Sequence, residues 1–257
     1  NVLTGANSVQ LGAVVGNANS STALINGNTN LTLATRQNFS GDFVSNRDSV
    51  LNIANNFALG SGKLVINHAT STGGAFSGVV LGGSGGALQT FSGAMSPLND
   101  VDVVADFRWQ GNGDLVFRGN VNLAPGGAAG TRVLEVGIGS QTVNMGINGV
   151  VSGVGSNVVK TGNQSLILNG LNTYTGTTTL ASGSGIFVGT DVLPGVAGAL
   201  GNSTTPLAIT TSNSTLGISG QFTFGRDIVS TAFAADSQTI TILGNSLYTS
   251  KITGGMN

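Results

Sequence analysis

Apolar and polar positions alternate in short bursts along this chain, and most bursts follow a glycine or an asparagine. The stretch "GNQSLIL" from Gly162 shows the unit: a glycine, small or polar residues, then apolar-x-apolar. "GNGDLVF" from Gly111 and "GSGKLVI" from Gly60 repeat it at a spacing of 51 residues. Looser copies begin at Gly5, Gly27 and Gly139, and "DSQTITI" from Asp236 echoes the last of these. The pattern predicts a corner followed by a short strand, because Gly and Asn tolerate positive φ at the corner and alternate residues of a strand face the same side. Leu166 and Leu168 would face a core together, with Ile167 between them facing out or into a second layer.

Further short strands are predicted at Thr177–Leu180, Gly185–Gly189, Pro206–Thr211, Val101–Phe107 and Gln221–Gly225. No amphipathic helix of three turns is present. Thr190–Gly201 comes nearest, but Pro194, Gly195 and Gly198 break it, and it reads as a loop leaving the strands.

Composition sharpens this picture. Charged residues make up 7% of the chain, against about 25% in an average domain, while 40% is hydrophobic and the net charge is −1. Such a chain folds, with Asn, Ser, Thr and Gly supplying its polar surface. Short strands between Gly/Asn corners with so few charges predict an all-β protein built as a parallel β-helix, a β-solenoid. In-register stacking would set like charges against each other, whereas Asn, Thr, Ser and Val ladders reinforce one another. With about 20–25 residues per coil, the chain would make roughly ten to twelve coils in a rod on the order of 50 Å long. Leu31, Leu33, Leu64, Ile66, Leu115, Phe117, Leu166 and Leu168 are the expected buried members of stacked strands. A β-sandwich or barrel is the competing fold.

The 9 Lys and Arg are scattered, so nucleic acid is not an expected partner, and Trp109, Tyr174 and Tyr248 offer no stacking platform. Cysteine is absent, which removes disulfide and thiol chemistry and suits a secreted or surface protein. No apolar run is long enough to span a membrane. The first residues, "NVLTGANSVQ", carry no signal-peptide pattern, so an exported protein would be represented here by a mature or internal segment.

The segment "VVKTGNQSLILNGLNTYTGTTTLASGSGIFVG", Val158–Gly189, resembles the passenger-associated strand repeat of bacterial autotransporters. Lys160, Gly162, Leu166, Leu168, Gly170, Asn172, Tyr174 and Gly176 fall on that motif, and Ala199, Leu200 and Gly201 on its usual continuation. Gln164 replaces a usual Gly, and Ile186 a usual Leu. The clearest repeat covers 146–220 within a single solenoid segment, 1–257. The resemblance implies a right-handed parallel β-helix exported through an outer membrane to the cell surface, with a separate translocating barrel. It also implies an adhesin or surface-layer role, with self-association or a host or neighbour cell surface as partner. Thr72–Ser92 and Thr190–Thr205 would be the displayed loops. The flanking sequences carry no polar cap and few charges, so a self-assembly through polar ladders and coil ends is expected to survive raised salt.

Candidate chemistry is sparse. "GGSGG" at Gly82–Gly86 satisfies Gly-x-Ser-x-Gly, but the only His, His68, precedes Ser84, and no helix follows. Asp100, Asp102 and Asp106 share strand parity and could project from one face, as a polysaccharide-degrading β-helix would require; a solvated coil rim is the plainer reading. Asp114 in "QGNGDLVF" stands alone where calcium repeats need a tandem, and His68 has no second zinc ligand. Lys63 follows Gly62 but Leu64 follows it, so there is no phosphate loop. Phe39, Phe43, Phe57, Phe76, Phe91, Phe107 and Phe117 read as core members. The expectation is therefore a structural or adhesive surface protein with no catalytic, cofactor or metal site. A β-helix that binds or degrades polysaccharide is the alternative.

Overall fold

The structure, a computed structural model, describes residues 2–4, 8–11, 23–26, 30–33, 36–37, 40–46, 49–53, 57–67, 79–83, 89–90, 99–111, 114–140, 142–182, 185–211, 214–218, 220–231, 240–243, 247–249 and 251–254. Strand accounts for 45% of the chain and helix for 2%, so the protein is all-β. The one helical turn among the described residues is a 3-10 turn at Pro125–Gly127. Every pairing between strands is parallel, as a β-helix demands.

Three large sheets are visited in cyclic order. One complete coil runs Val101–Val103 in sheet A, Phe107–Gly111 in sheet B and Leu115–Phe117 in sheet C. The next two coils repeat it at Val121–Asn122, Thr131–Val136, Met145–Ile147 and then Val151–Ser152, Asn157–Thr161, Leu166–Leu168. Among the described residues sheet A has seven strands, sheet B eleven and sheet C seven, and a fourth sheet pairs Thr223–Phe224 with Leu247–Tyr248. Sheet B is continuous from Ser8–Leu11 to Ile252–Gly254, so its eleven strands match the expected coil number.

The core fills the space between the sheets with aligned aliphatic columns. In sheet C, Leu115, Met145, Leu166, Ile186 and Leu216 are in register, as are Phe117, Ile147, Leu168, Val188 and Ile218. All of these are buried. The eight expected core residues, Leu31 to Leu168, are all at most 1% exposed. Ile167, between Leu166 and Leu168, is only half-buried and faces outward.

The 51-residue spacing needs correction. Leu115 and Leu166 are two coils apart in sheet C with Met145 between them, whereas Leu64 lies in sheet A. Coil lengths differ: Val101 pairs with Val121, 20 residues on, but Leu64 pairs with Val101 across a far longer excursion. That excursion changes the phase, so equal spacing in sequence is not equal position in the coil. "VDVVADF" also divides into two strands around a corner, with Val103 ending sheet A and Phe107 opening sheet B. "GSQTVNM" opens at Gly139, at positive φ like Gly137 just before it, and its strand begins only at Met145.

Within Thr72–Ser92, Val79–Gly83 is a strand of sheet B and Gln89–Thr90 a strand of sheet C; the rest lies outside the described residues. That segment therefore contributes to the stack and is not wholly a displayed loop. Thr190–Thr205 does leave the strands, but it is folded back on the coil below: Asn172 and Gly198 exchange both backbone hydrogen bonds, and Val192, Ala199 and Leu200 are buried.

Candidate functional site

The polar residues that carry chemistry are concentrated at or beside the corners between sheets, where an amide has no ladder partner on the coil below. There an Asp or Asn of one coil accepts the amide of the next coil. At the entry to sheet A, Asp42 accepts from Lys63 N (3.0 Å), Asp100 from Asn120 N (2.8 Å), and Asn120 from Val150 N (3.1 Å). At the entry to sheet B, Asp106 accepts from Val133 N (2.8 Å), Asn157 from Thr177 N (2.8 Å) and Asp227 from Lys251 N (2.9 Å). At the entry to sheet C, Asp114 accepts from Asn144 N (2.6 Å) and Asn144 in turn from Ser165 N (3.2 Å). Each bond satisfies a backbone donor that would otherwise be unpaired, and a charged acceptor makes it stronger than a neutral one.

The basic residues divide the same way. Arg132, Lys160 and Arg226 point into the solenoid and are buried. Lys160 takes an inner position in sheet B, in register with Leu134 on one side and Leu180 on the other. Its Nζ donates to the Gly162 carbonyl at 2.7 Å. Burial lowers its pKa to about 7, against a smaller opposing attraction from Glu135. Arg132 donates from Nε to the Val103 carbonyl (2.8 Å) and from a terminal nitrogen to that of Ala128 (3.1 Å). Burial lowers its pKa too, offset in part by Asp106.

Above Val151–Ser152 sheet A ends, and a column of irregular backbone held by side chains takes its place. Thr173 N donates to the Val151 carbonyl, Asn172 Oδ1 accepts Val151 N, and Asn172 Nδ2 donates to the Ala199 carbonyl (2.7 Å). Tyr174 is buried with its hydroxyl 2.7 Å from Thr178 Oγ1. Gly201 lies across its ring at φ +76: a Cβ there would sit 2.4 Å from the Tyr174 carbonyl and 3.0 Å from the ring. Arg226 closes the column, its two terminal nitrogens donating to the carbonyls of Leu200 and Gly201. Burial raises the Tyr174 pKa to about 12, opposed by the Thr178 hydrogen bond and by Arg226. Asn172, Tyr174 and Ala199–Gly201, which carry the family resemblance, thus meet at one corner. Arg226 was missed; "FGRD" offered only an arginine between a glycine and an aspartate, without a signal for which carbonyls it would reach.

The candidate catalytic residues are not assembled. Asp100 and Asp106 hold amides at two different corners, and Asp102, on the outer face of sheet A between them, pairs with Lys63 at 3.3 Å and accepts from Asn122 Nδ2. Asp114 is committed to Asn144. Ser84 and His68 lie outside the described residues, as do Phe39, Phe76 and Phe91. Phe43, Phe107 and Phe117 are core, and Phe57 is half-buried beneath the Arg36 guanidinium, 5.1 Å from its ring centre. No group of three or more potential metal ligands occurs among the described residues, and none of their helices is long and apolar enough to cross a membrane.

The class of protein that these features define is a parallel β-helix whose polar side chains tie coil to coil. Compared with family models, curated proteins and solved structures, the chain matches none of them.

Proposed function

We propose that this chain is a structural and adhesive rod displayed outside the cell, the β-helical passenger region of an exported surface protein of the autotransporter type. It self-associates or mediates contact between cell surfaces. The observation that carries this reading is the use of ionisable side chains as ties between coils: six aspartates accept amides of a later coil, and three buried cations hold backbone carbonyls. Such a chain devotes its polar chemistry to holding a long surface in shape. The match of Lys160, Asn172, Tyr174 and Ala199–Gly201 to the passenger repeat supports export, and all of these except Lys160 form one interlocked corner.

The test is to measure binding of purified protein to bacterial and host cells alongside light scattering of the protein alone. Scattering that grows with concentration, or saturable cell binding, is expected. Turnover of a polysaccharide that vanishes on Asp102→Asn would replace this reading with the enzymatic one.

A further inference from the structure

The outer face of sheet C carries an apolar column in otherwise polar surroundings. Val116, Gly146, Ile167, Phe187 and Gly217 are in register from coil to coil. Val116, Ile167 and Phe187 are half-buried, and the Phe187 ring covers Gly217, where a Cβ would come within 2.0 Å of it. Gly146 leaves a shallow notch between Val116 and Ile167, since a Cβ there would meet only ordinary contact with Val116 at 3.4 Å. Polar columns flank the stripe, Asp114 and Asn144 on one side, Arg118 and Asn148 on the other.

We propose that this stripe is a homotypic contact surface, and that its occupant is the same stripe of a second copy. The argument is charge complementarity across a two-fold axis. Asp114, Val116 and Arg118 alternate on one outer face, so a two-fold axis parallel to the stack sets each Arg118 against the other copy's Asp114 while stripe meets stripe. Asp114 gives one carboxylate oxygen to Asn144 N, which leaves the other for this pairing. Arg118 is exposed and has no side-chain partner among the described residues, unlike Lys63 and Arg108, which pair with Asp102 and Glu135. Reversing the coil order would place Asp114 away from Arg118, so the pairing also selects the parallel arrangement.

Five strands at ~4.8 Å spacing give a patch of about 300 Å² per copy, well below the roughly 800 Å² of a stable interface. A single contact is weak; many copies on one surface make it strong through avidity. This inference rests on the proposed surface role.

The test couples the full chain densely to polystyrene beads through amines, in mixed orientations, so that copies on facing beads can meet with their stacks parallel, and counts clusters. Wild-type beads are expected to cluster, while Arg118→Glu and Ile167→Lys beads, each confirmed folded by an unchanged melting curve, lose about tenfold of that clustering. Mixed Arg118→Glu and Asp114→Lys beads should cluster together, since each mismatch repairs the other. If loss of the Asn144 tie unfolds Asp114→Lys, the first two variants decide alone. Equal clustering of wild type and Arg118→Glu overturns this face but leaves self-association intact. Beads that bind cells without clustering overturn it and keep the adhesive role; beads that do neither overturn both.

Discussion

A Cβ added to Gly149 would sit 2.0 Å from the carbonyl oxygen of Gly119, one coil below. The same relationship recurs at Gly119 over Asn99 (2.0 Å), at Gly62 over Gly41 (2.0 Å) and at Gly170 over Gly149 (2.2 Å). The corner between sheets C and A is therefore lined by a column of glycines, with Asn99 standing among them, and at each of these glycines the backbone below lies too close for a side chain. Gly149→Ala should force the coils apart and cost about 3 kcal/mol or more, at the upper end for overpacking. Gly146→Ala, three residues earlier, meets no such contact and should be neutral or slightly stabilising, by up to about 0.5 kcal/mol. Thermal melts of the two variants check this; equal effects would remove the steric account.

Asp106 distinguishes a tie from a catalytic acid. Its carboxylate accepts Val133 N, and an amide oxygen can do the same. Asp106→Asn should therefore stay within about 0.5 kcal/mol of wild type, whereas Asp106→Ala, which leaves that amide unpaired, should cost about 1–2 kcal/mol. Denaturant midpoints read both. A larger loss for the Asn variant would mean that the charge matters beyond this bond.

These ties show how far the sequence could be read. The alternation at Leu115–Phe117 and Leu166–Leu168 identified core residues because stacked strands impose a period of two, and the shortage of charge pointed to a stack over a sandwich. Thr131–Val136 escaped because Arg132 and Glu135 interrupt its apolar pattern. Arg132 is turned inward to the Val103 and Ala128 carbonyls, contacts that belong to neighbouring coils and leave no mark in local sequence. Coil phase was hidden for the same reason. It depends on the length of each excursion, so Leu64 and Leu115 look equivalent but lie in different sheets.

Lys160 and Tyr174 together give stability a predicted pH profile. The unfolded chain keeps the Lys160 proton up to its ordinary 10.5, while the folded state releases it near 7. Between those values the unfolded state binds more protons, so stability rises with pH, by a few kcal/mol in all. Tyr174 acts in the opposite direction. Its folded pKa of about 12 exceeds the ordinary 10, so the stability it contributes is complete below pH 10 and lost as pH rises toward 12. The melting temperature should climb from pH 7, peak near pH 10 and then fall. Lys160→Met should flatten the rising limb and Tyr174→Phe the falling one. A rising limb unchanged by Lys160→Met would assign it to other groups.

Arg226 provides the sharpest test of the corner that replaces sheet A. Its guanidinium holds the carbonyls of Leu200 and Gly201, and Asn202 N in turn donates to the Tyr174 carbonyl, so Arg226 shares with Asn172 the task of holding the return of the Thr190–Thr205 excursion. A lysine keeps the charge but cannot reach two carbonyls with a planar fork. Arg226→Lys should therefore destabilise by about 2 kcal/mol, and Arg226→Met, which leaves both buried carbonyls without this donor, by roughly 3–5 kcal/mol. The loss should be local as well as global. Hydrogen exchange at Asn202 and Gly198 should accelerate before that at Leu166–Leu168, whose ladder bonds lie in sheet C away from this corner. Uniform acceleration across both segments would mean that the corner and the sheets open as one cooperative unit, and that Arg226 holds the whole stack instead of this excursion alone.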